Sequence, residues 1–310
     1  MSESDKQRYD ILIISGPTAS GKTALAAALA DRLDGEIISA DSRQVYRGMD
    51  IGTGKDYDDY IAGGRKIPCH LIDIADPGYK YNVFEYQRDF LRIYNDLKQR
   101  NVFPVLCGGS GMYIDSIVSG YRMYEVPPDY DLRVQLETKT MDELVDILSA
   151  YKKMHNKTDI DTKKRVIRAI EIEEFNRSGN IKQAELPGLK YLMIGVMNDR
   201  EKRRKRITGR LRQRLDAGMI DEVRRLMNSG LSKETLIYYG LEYKFITLYL
   251  MGKMDYNSMV RDLEIAIHQF AKRQMTWFRG MERKGIIINW IDGDLPIDTK
   301  VESVLELLKG

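Results

Sequence analysis

Residues Gly16 to Thr23 read Gly-Pro-Thr-Ala-Ser-Gly-Lys-Thr, a G-x-x-x-x-G-K-[ST] pattern, and no other stretch restricts the fold so tightly. The apolar run Ile11-Leu12-Ile13-Ile14 precedes it, and Ala24 to Ala30, rich in helix formers, follows it. Strand, glycine loop, then helix is the setting in which such a loop wraps a phosphate. Glycines let backbone N–H groups close around an anion, and the helix N-terminus adds partial positive charge. Gly16, Pro17, Thr18, Ala19, Ser20 and Gly21 are therefore the candidate cradle. Lys22 would reach phosphate oxygens, and the Thr23 hydroxyl would sit on Mg²⁺. The competing reading, a glycine turn before an alanine-rich helix, fits neither the flanks nor the spacing as well. The loop alone does not say which phosphate compound it holds.

The rest of the chain repeats the theme. Gly35 to Ala40 reads as a second short strand, which delivers Asp41 and the run Ser42-Arg43-Gln44-Val45-Tyr46-Arg47 at its C-terminal end. Gly48 to Lys55 is glycine-rich loop, and Phe84 to Arg100 has apolar residues at helical spacing. Phe103 to Cys107 forms another strand, ending in Gly108-Gly109-Ser110-Gly111, with a helix expected from Met112 to Val118. Repeated strand, glycine turn and helix predict an α/β fold: a P-loop NTPase-like parallel sheet flanked by helices. From Pro127-Pro128 helical periods take over, so residues 121–188 read as a helical insertion domain, and 1–120 with 189–310 as the catalytic core. Tyr191 to Val196 returns to strand; helices are expected at 241–251 and 263–279, and a last strand at 286–290.

Composition narrows the class. Hydrophobic residues make up 43% and charged residues 31% of the 310, the balance of an ordinary globular protein. No apolar run approaches the roughly 18–20 residues of a membrane span, and the N-terminal residues lack a signal-peptide core. Cys69 and Cys107 form no C-x-x-C pair, and the three histidines are isolated, so no disulfide framework or zinc site is indicated. A reducing cytoplasm and a monomer are the simplest expectations. The net charge of +3 hides an asymmetry: residues 201–225 hold ten Lys or Arg against four Asp or Glu. Arg203, Arg206, Arg210 and Arg214 recur at helical spacing beside an apolar stripe of Ile207, Leu211 and Leu215. Lys163-Lys164-Arg165-Val166-Ile167-Arg168 is a second basic cluster. Two such clusters on a near-neutral body point to a polyanionic partner.

Many phosphate-loop enzymes hold Mg²⁺ with an Asp after a hydrophobic strand. Here the strand at 103–107 runs into glycine, and the acid at a strand end is Asp41. Next to bound phosphates Asp41 makes chemical sense as a general base, against the plainer role of a loop or helix-capping acid. The arginine stripe offers phosphate contacts to a nucleic acid, or one inward arginine that neutralises a leaving diphosphate. Arg206 and Arg210, beside the apolar stripe, are the candidates for that inward role.

Several stretches together resemble the tRNA dimethylallyltransferase (tRNA isopentenyltransferase) family, in its bacterial form. They are Gly16 to Thr23, the run Asp41-Ser42-Arg43-Gln44-Val45-Tyr46-Arg47-Gly48-Met49-Asp50-Ile51-Gly52-Thr53, and Pro104 to Tyr113. Arg165 to Glu171, Arg210 to Val223, and Ala271-Lys272-Arg273-Gln274-Met275-Thr276-Trp277-Phe278-Arg279 complete the match. The resemblance implies transfer of a dimethylallyl group from dimethylallyl diphosphate to N6 of the adenosine 3′ of the anticodon. The phosphate loop would then grip diphosphate with Lys22 and a Thr23-bound Mg²⁺, and Asp41 would take the amine proton. Thr18 and Arg210 would stabilise the leaving group, with Arg206 as the competing candidate. Asp41, Ser42, Arg43 and Gln44 would contact the target adenosine and its neighbours. Ser110 and Arg122 would lie near the channel. Lys164, Arg165 and Arg168 would lie near the anticodon stem-loop, as would Lys272 and Arg273. One departure stands out: Glu242-Tyr243-Lys244 occupies the place of the family's usual Gly-Tyr-Lys. The eukaryotic C-terminal zinc finger has no counterpart here. Two other functions compete, an adenylate isopentenyltransferase acting on free nucleotide and an ATP-binding, RNA-binding kinase or switch.

Overall fold

Six strands, all parallel, form the central sheet of the computed structural model, which describes residues 8–121, 125–151, 160–177 and 188–309. In chain order the core begins with β1 (Ile11–Ser15), α1 (Lys22–Arg32) and β2 (Gly35–Ser39). A short 3₁₀ turn, Tyr57–Tyr60, leads into the two-residue hairpin strands β3 (Ile61–Ala62) and β4 (Arg65–Lys66). Then come β5 (Cys69–His70), α2 (Val83–Gln99), β6 (Phe103–Gly108) and α3 (Gly111–Val118). The helical segment contains α4 (Tyr130–Glu137), α5 (Met141–Tyr151) and α6 (Lys163–Arg177). The chain returns with β7 (Tyr191–Met197) and the helices α7 (Arg200–Asp216), α8 (Met219–Asn228), α9 (Lys233–Tyr239), α10 (Leu241–Leu250) and α11 (Tyr256–Arg283). It closes with β8 (Asn289–Asp292) and α12 (Ile297–Lys309).

Strand order is β5-β2-β6-β1-β7-β8, which puts the phosphate-loop strand near the centre. Leu12 lies opposite Val105 on one side and Leu192 on the other. All five residues of β1 are buried, as a strand covered on both faces requires. One face packs Leu12, Ile14, Leu25, Leu29 and Val105 with Val301, Val304 and Leu308 of α12. The other packs Ile11, Ile13 and Leu106 against Tyr86 and Phe90 of α2 and Phe278 of α11. A third cluster, built by α7 to α11, includes Ile207, Leu211, Tyr239, Tyr243 and Ile267. The chain divides into two compact units, Met1–Tyr121 with Leu186–Gly310, and Arg122–Glu185. The second has its own core of Leu144, Leu148, Val166 and Ile170.

Two local expectations shift, and one hairpin is additional to them. The last strand begins at Asn289, because the backbone N–H of Ile286 still bonds the Met281 carbonyl and keeps the chain wrapped on the end of α11. That long helix starts at Tyr256 rather than near 263, since Asp255 caps it by accepting from Ser258 N at 3.0 Å. The hairpin of β3 and β4, turned by Gly63-Gly64, carries no alternating pattern long enough to read. Among the described residues no helix is long and apolar enough to cross a membrane.

Candidate active site

The C-terminal ends of β1, β2 and β6 open into one cavity of about 750 Å³, where an open parallel sheet places its ligands. All of its lining belongs to the larger unit. Thr18, Ala19, Lys22 and Thr23 of the phosphate loop line it, together with Asp41, Ser42, Arg43 and Gln44 after β2 and Ser110 after β6. Arg210 and Arg214 come from α7, Glu242 from α10, and Arg273, Gln274 and Trp277 from α11.

The phosphate loop is held ready by groups far away in sequence. Gln274 accepts from the Thr18 backbone N–H at 2.9 Å and donates to the Gly109 carbonyl at 2.9 Å, tying the loop to the turn after β6. Lys22 Nζ lies 3.4 Å from the Pro17 carbonyl, a weak local bond that an incoming anion easily replaces. Desolvation in the cavity lowers the Lys22 ammonium below its ordinary value, with the Cys107 and Asp41 neighbours acting in the opposite sense. Among the described residues the Ser20 hydroxyl, fully buried in the loop, has no hydrogen-bond partner. Gly16, Pro17, Ser20 and Gly21 are not part of the cavity lining.

Asp41 is fixed by its own turn. Its Oδ1 accepts from Arg43 N at 2.8 Å and Gln44 N at 3.4 Å, so the plainer turn-capping role does exist. Oδ2 accepts no hydrogen bond among the described residues, which leaves one carboxylate oxygen for a proton. The acid-free turn after β6 has a steric cause. A Cβ on Gly108 would stand 2.2 Å from the Ala40 carbonyl oxygen. The two strand ends run too close for a side chain there, so the acid comes from β2. Ser110 Oγ accepts from Ser42 N at 2.9 Å and lies 3.2 Å from Ser42 Oγ, locking the two turns together. Gln44 donates to the Gly54 carbonyl at 3.0 Å.

The two arginine candidates separate cleanly. Arg210 lines the cavity and pairs with Asp56. Arg206, one turn earlier, is drawn to Asp294 at 3.0 Å and is not part of the lining. Asp294 also holds Lys202 at 3.5 Å, so this end of the basic stripe serves the joint between α7 and the β8–α12 turn. Of the remaining site candidates, Arg273 lines the cavity and Lys272 is exposed on the same helix outside it. Lys164 and Arg165 are exposed on α6 in the smaller unit, where Arg165 pairs with Asp161 at 2.9 Å. Arg168 is engaged by Glu171 and donates to the Val126 carbonyl at 2.9 Å. Burial opposes charge on Glu171, yet Arg133 and Arg168 hold its carboxyl below the usual range. Arg122 lies outside the described residues.

Several lining groups are not singled out by the sequence, among them Gln274, Asp56 and Asp59, and Arg214 stands out only as part of the arginine stripe. Gln274 sat inside a recognised motif, yet its two bonds span 256 and 165 residues. Only the folded chain brings them together.

A family model described as IPP transferase matches residues 44–281, and one described as isopentenyl transferase matches residues 9–76. The chain is 62% identical over 301 residues to tRNA dimethylallyltransferase 2 of Bacteroides fragilis, covering 97% of this chain and 98% of that protein. It is 59% identical to tRNA dimethylallyltransferase 2 of Phocaeicola vulgatus, with the same coverage. Among solved structures, the tRNA isopentenylpyrophosphate transferase of Bacillus halodurans aligns with a TM-score of 0.69 at 32% identity, over 96% of this chain and 95% of that one.

Proposed function

This chain belongs to the tRNA dimethylallyltransferase family of IPP transferases, and from that premise we propose that it moves a dimethylallyl group from dimethylallyl diphosphate to N6 of the adenosine 3′-adjacent to the anticodon. The observation that carries this reading is the pairing of a phosphate loop with Asp41 in one cavity, beside a β6 end that has no acid. In this reading the phosphate loop holds a leaving group rather than a phosphoryl donor.

The chemistry follows from the positions. The adenine N6 lone pair forms a bond to C1 of the allylic group as the C1–O bond breaks, and the electron pair of that bond leaves with diphosphate. Asp41 takes the N6 proton through its free oxygen, a role in which a positioned base contributes about 10²–10⁴-fold. Thr18, the loop amides, Lys22 and Arg210 receive the charge that develops on the diphosphate. Thr23 lines the cavity, and its hydroxyl is the protein group that would hold Mg²⁺ there. Mg²⁺ commonly keeps several waters and binds through one or two protein groups plus substrate oxygens, as a lone hydroxyl beside diphosphate would allow. When bound, it neutralises charge on the leaving group.

Reaching N6 requires the adenosine to leave its stack, and the exposed Trp277 and Arg273 at the cavity offer a surface for an extruded base. Ser42, Arg43, Gln44 and Ser110 sit where such a base and its neighbours would enter. Lys164 and Lys272 are exposed cations suited to phosphate contacts, as are Arg204, Lys205 and Arg212 on α7, while Arg165 would have to exchange its Asp161 partner for a phosphate. The test incubates the protein with dimethylallyl diphosphate, Mg²⁺ and unmodified tRNA, then identifies the digested nucleosides by mass. Isopentenyladenosine is the expected product. Brisk ATP hydrolysis with no such product would overturn the reading.

A further inference from the structure

Arg214 has no part in the reading above, yet it is among the most deliberately placed cations in the chain. It lies one turn beyond Arg210 on α7, so both guanidinium groups emerge from the same face. Both line the large cavity, and both also line a small void of about 20 Å³ against Thr18, Ala19 and Glu242. The Arg214 side chain is 18% exposed. Its guanidinium rests on the α-carbon of Gly54, where any Cβ would come within 1.9 Å of Nη2. With φ at +70°, Gly54 also holds a backbone conformation that other residues resist. Space for Arg214 is thus built into the loop before the 3₁₀ turn.

What the two arginines share is a single oxygen. Asp56 Oδ2 pairs with Arg210 and lies 3.7 Å from Arg214 Nη2. Two cations converging on one half-exposed carboxylate oxygen, with Lys22 in the same cavity, make an anion position whose present occupant is only partly adequate. Arg214's guanidinium is depressed from its ordinary value, first by burial and then by the Arg210 charge, while Glu242 and Asp56 act in the opposite sense. Glu242 itself stands in the first turn of α10 and lines both spaces. Burial raises its carboxyl, with Arg214 as the leading cation that opposes the shift. The acid at this position thus shares the small void with the buried arginine.

We propose that Arg214 is a second arginine for the departing diphosphate, acting with Arg210 across an anion position that Asp56 fills while the site is empty. The proposal rests on the dimethylallyl transfer reading. On donor binding the Asp56 carboxylate yields this position to a diphosphate oxygen, and the arginines keep their mutual placement.

Titration calorimetry with inorganic diphosphate and Mg²⁺, without tRNA, tests the proposal on the intact chain. Arg214→Gln should bind diphosphate about tenfold more weakly, the loss expected for one charge-assisted contact, and Arg214→Lys should fall between it and wild type. Asp56→Asn should bind more tightly, because the competing anion is gone. In steady-state transfer, Arg214→Gln should raise the KM for dimethylallyl diphosphate much more than the KM for tRNA, a split that loss of packing would not produce. Thermal melts without ligand confirm folding, and Arg214→Lys carries the comparison if Arg214→Gln fails to fold. Wild-type affinity in the Arg214 variants, or weaker binding in Asp56→Asn, overturns the proposal. If wild type itself yields no isopentenyladenosine, the underlying function fails instead, so the two failures are distinguishable.

Discussion

Asp41 Oδ1 caps the Arg43–Gln44 turn, and Oδ2 accepts no hydrogen bond among the described residues. In the proposed reaction the cap would make the base rigid, and the second oxygen would take the proton. Asp41→Ala should lower transfer by about 10²–10⁴-fold, the usual range for a positioned general base. Asp41→Asn keeps the cap, because the amide oxygen can still accept, but cannot take the proton. It should therefore be as slow as Asp41→Ala in single-turnover transfer while binding tRNA like wild type in a filter assay. Recovery of activity in the Asn variant would make the cap, not the base, the essential part. At this scale the sequence was most legible for the placement of Lys22, Thr23 and Asp41, which line the cavity as their positions on a loop and at a strand end predict. The choice between Arg206 and Arg210 was not legible. They sit on one helix face about 6 Å apart along the axis. Only the folded position of Asp294 draws the first away, while Asp56 holds the second at the cavity.

Among elements, α11 does more than cover the sheet. Its Met275, Phe278 and Met281 are buried against the β-sheet face, and one residue before Met275 the Gln274 amide turns to the phosphate loop. A helix held by apolar packing thus sets the height of Thr18 over the cavity. Gln274→Leu keeps the volume but leaves the Thr18 N–H and the Gly109 carbonyl without partners. Loss of one such bond costs about 1–3 kcal/mol where the group stays buried. The expected result is weaker diphosphate binding, by about tenfold, with a smaller loss in tRNA affinity, both measured by calorimetry. Equal losses for the two ligands would mean that Gln274 simply holds α11 in place. Element types were readable for β1, β2, β6 and β7, because parallel strands buried on both faces are near-continuous apolar runs, but not for the two-residue strands β3, β4 and β5. Boundaries were less so. The cap at Asp255 and the lingering Met281–Ile286 bond depend on local geometry that periodicity does not encode.

For the whole molecule, the ends of the strands divide function from stability. The cavity lies at the C-terminal ends, while near the start of β2 Glu36 gathers β5 and the end of α2. Its oxygens accept from Arg100 Nη1 and Nη2 at 2.8 and 2.9 Å, and His70 Nε2 lies 2.6 Å away. The Arg100 hydrogen bonds, working against desolvation, hold the Glu36 carboxyl down at about 2 against an ordinary 4.5. Between those values the unfolded chain binds a proton that the folded chain refuses. The contribution of Glu36 is therefore complete above pH 4.5 and is lost as the pH falls toward 2. Arg100 is half exposed, so solvent screening reduces the effect to about 1–2 kcal/mol. Glu36→Gln should lose that amount in urea unfolding at pH 7 and show a flatter fall in stability from pH 4.5 to 2. Because Glu36 is near the opposite strand end from Asp41, diphosphate affinity at pH 7 should stay at the wild-type value. A parallel loss of affinity would mean that strain at the base of β2 reaches the catalytic turn, and the division of the sheet into a stabilising and a working end would fail.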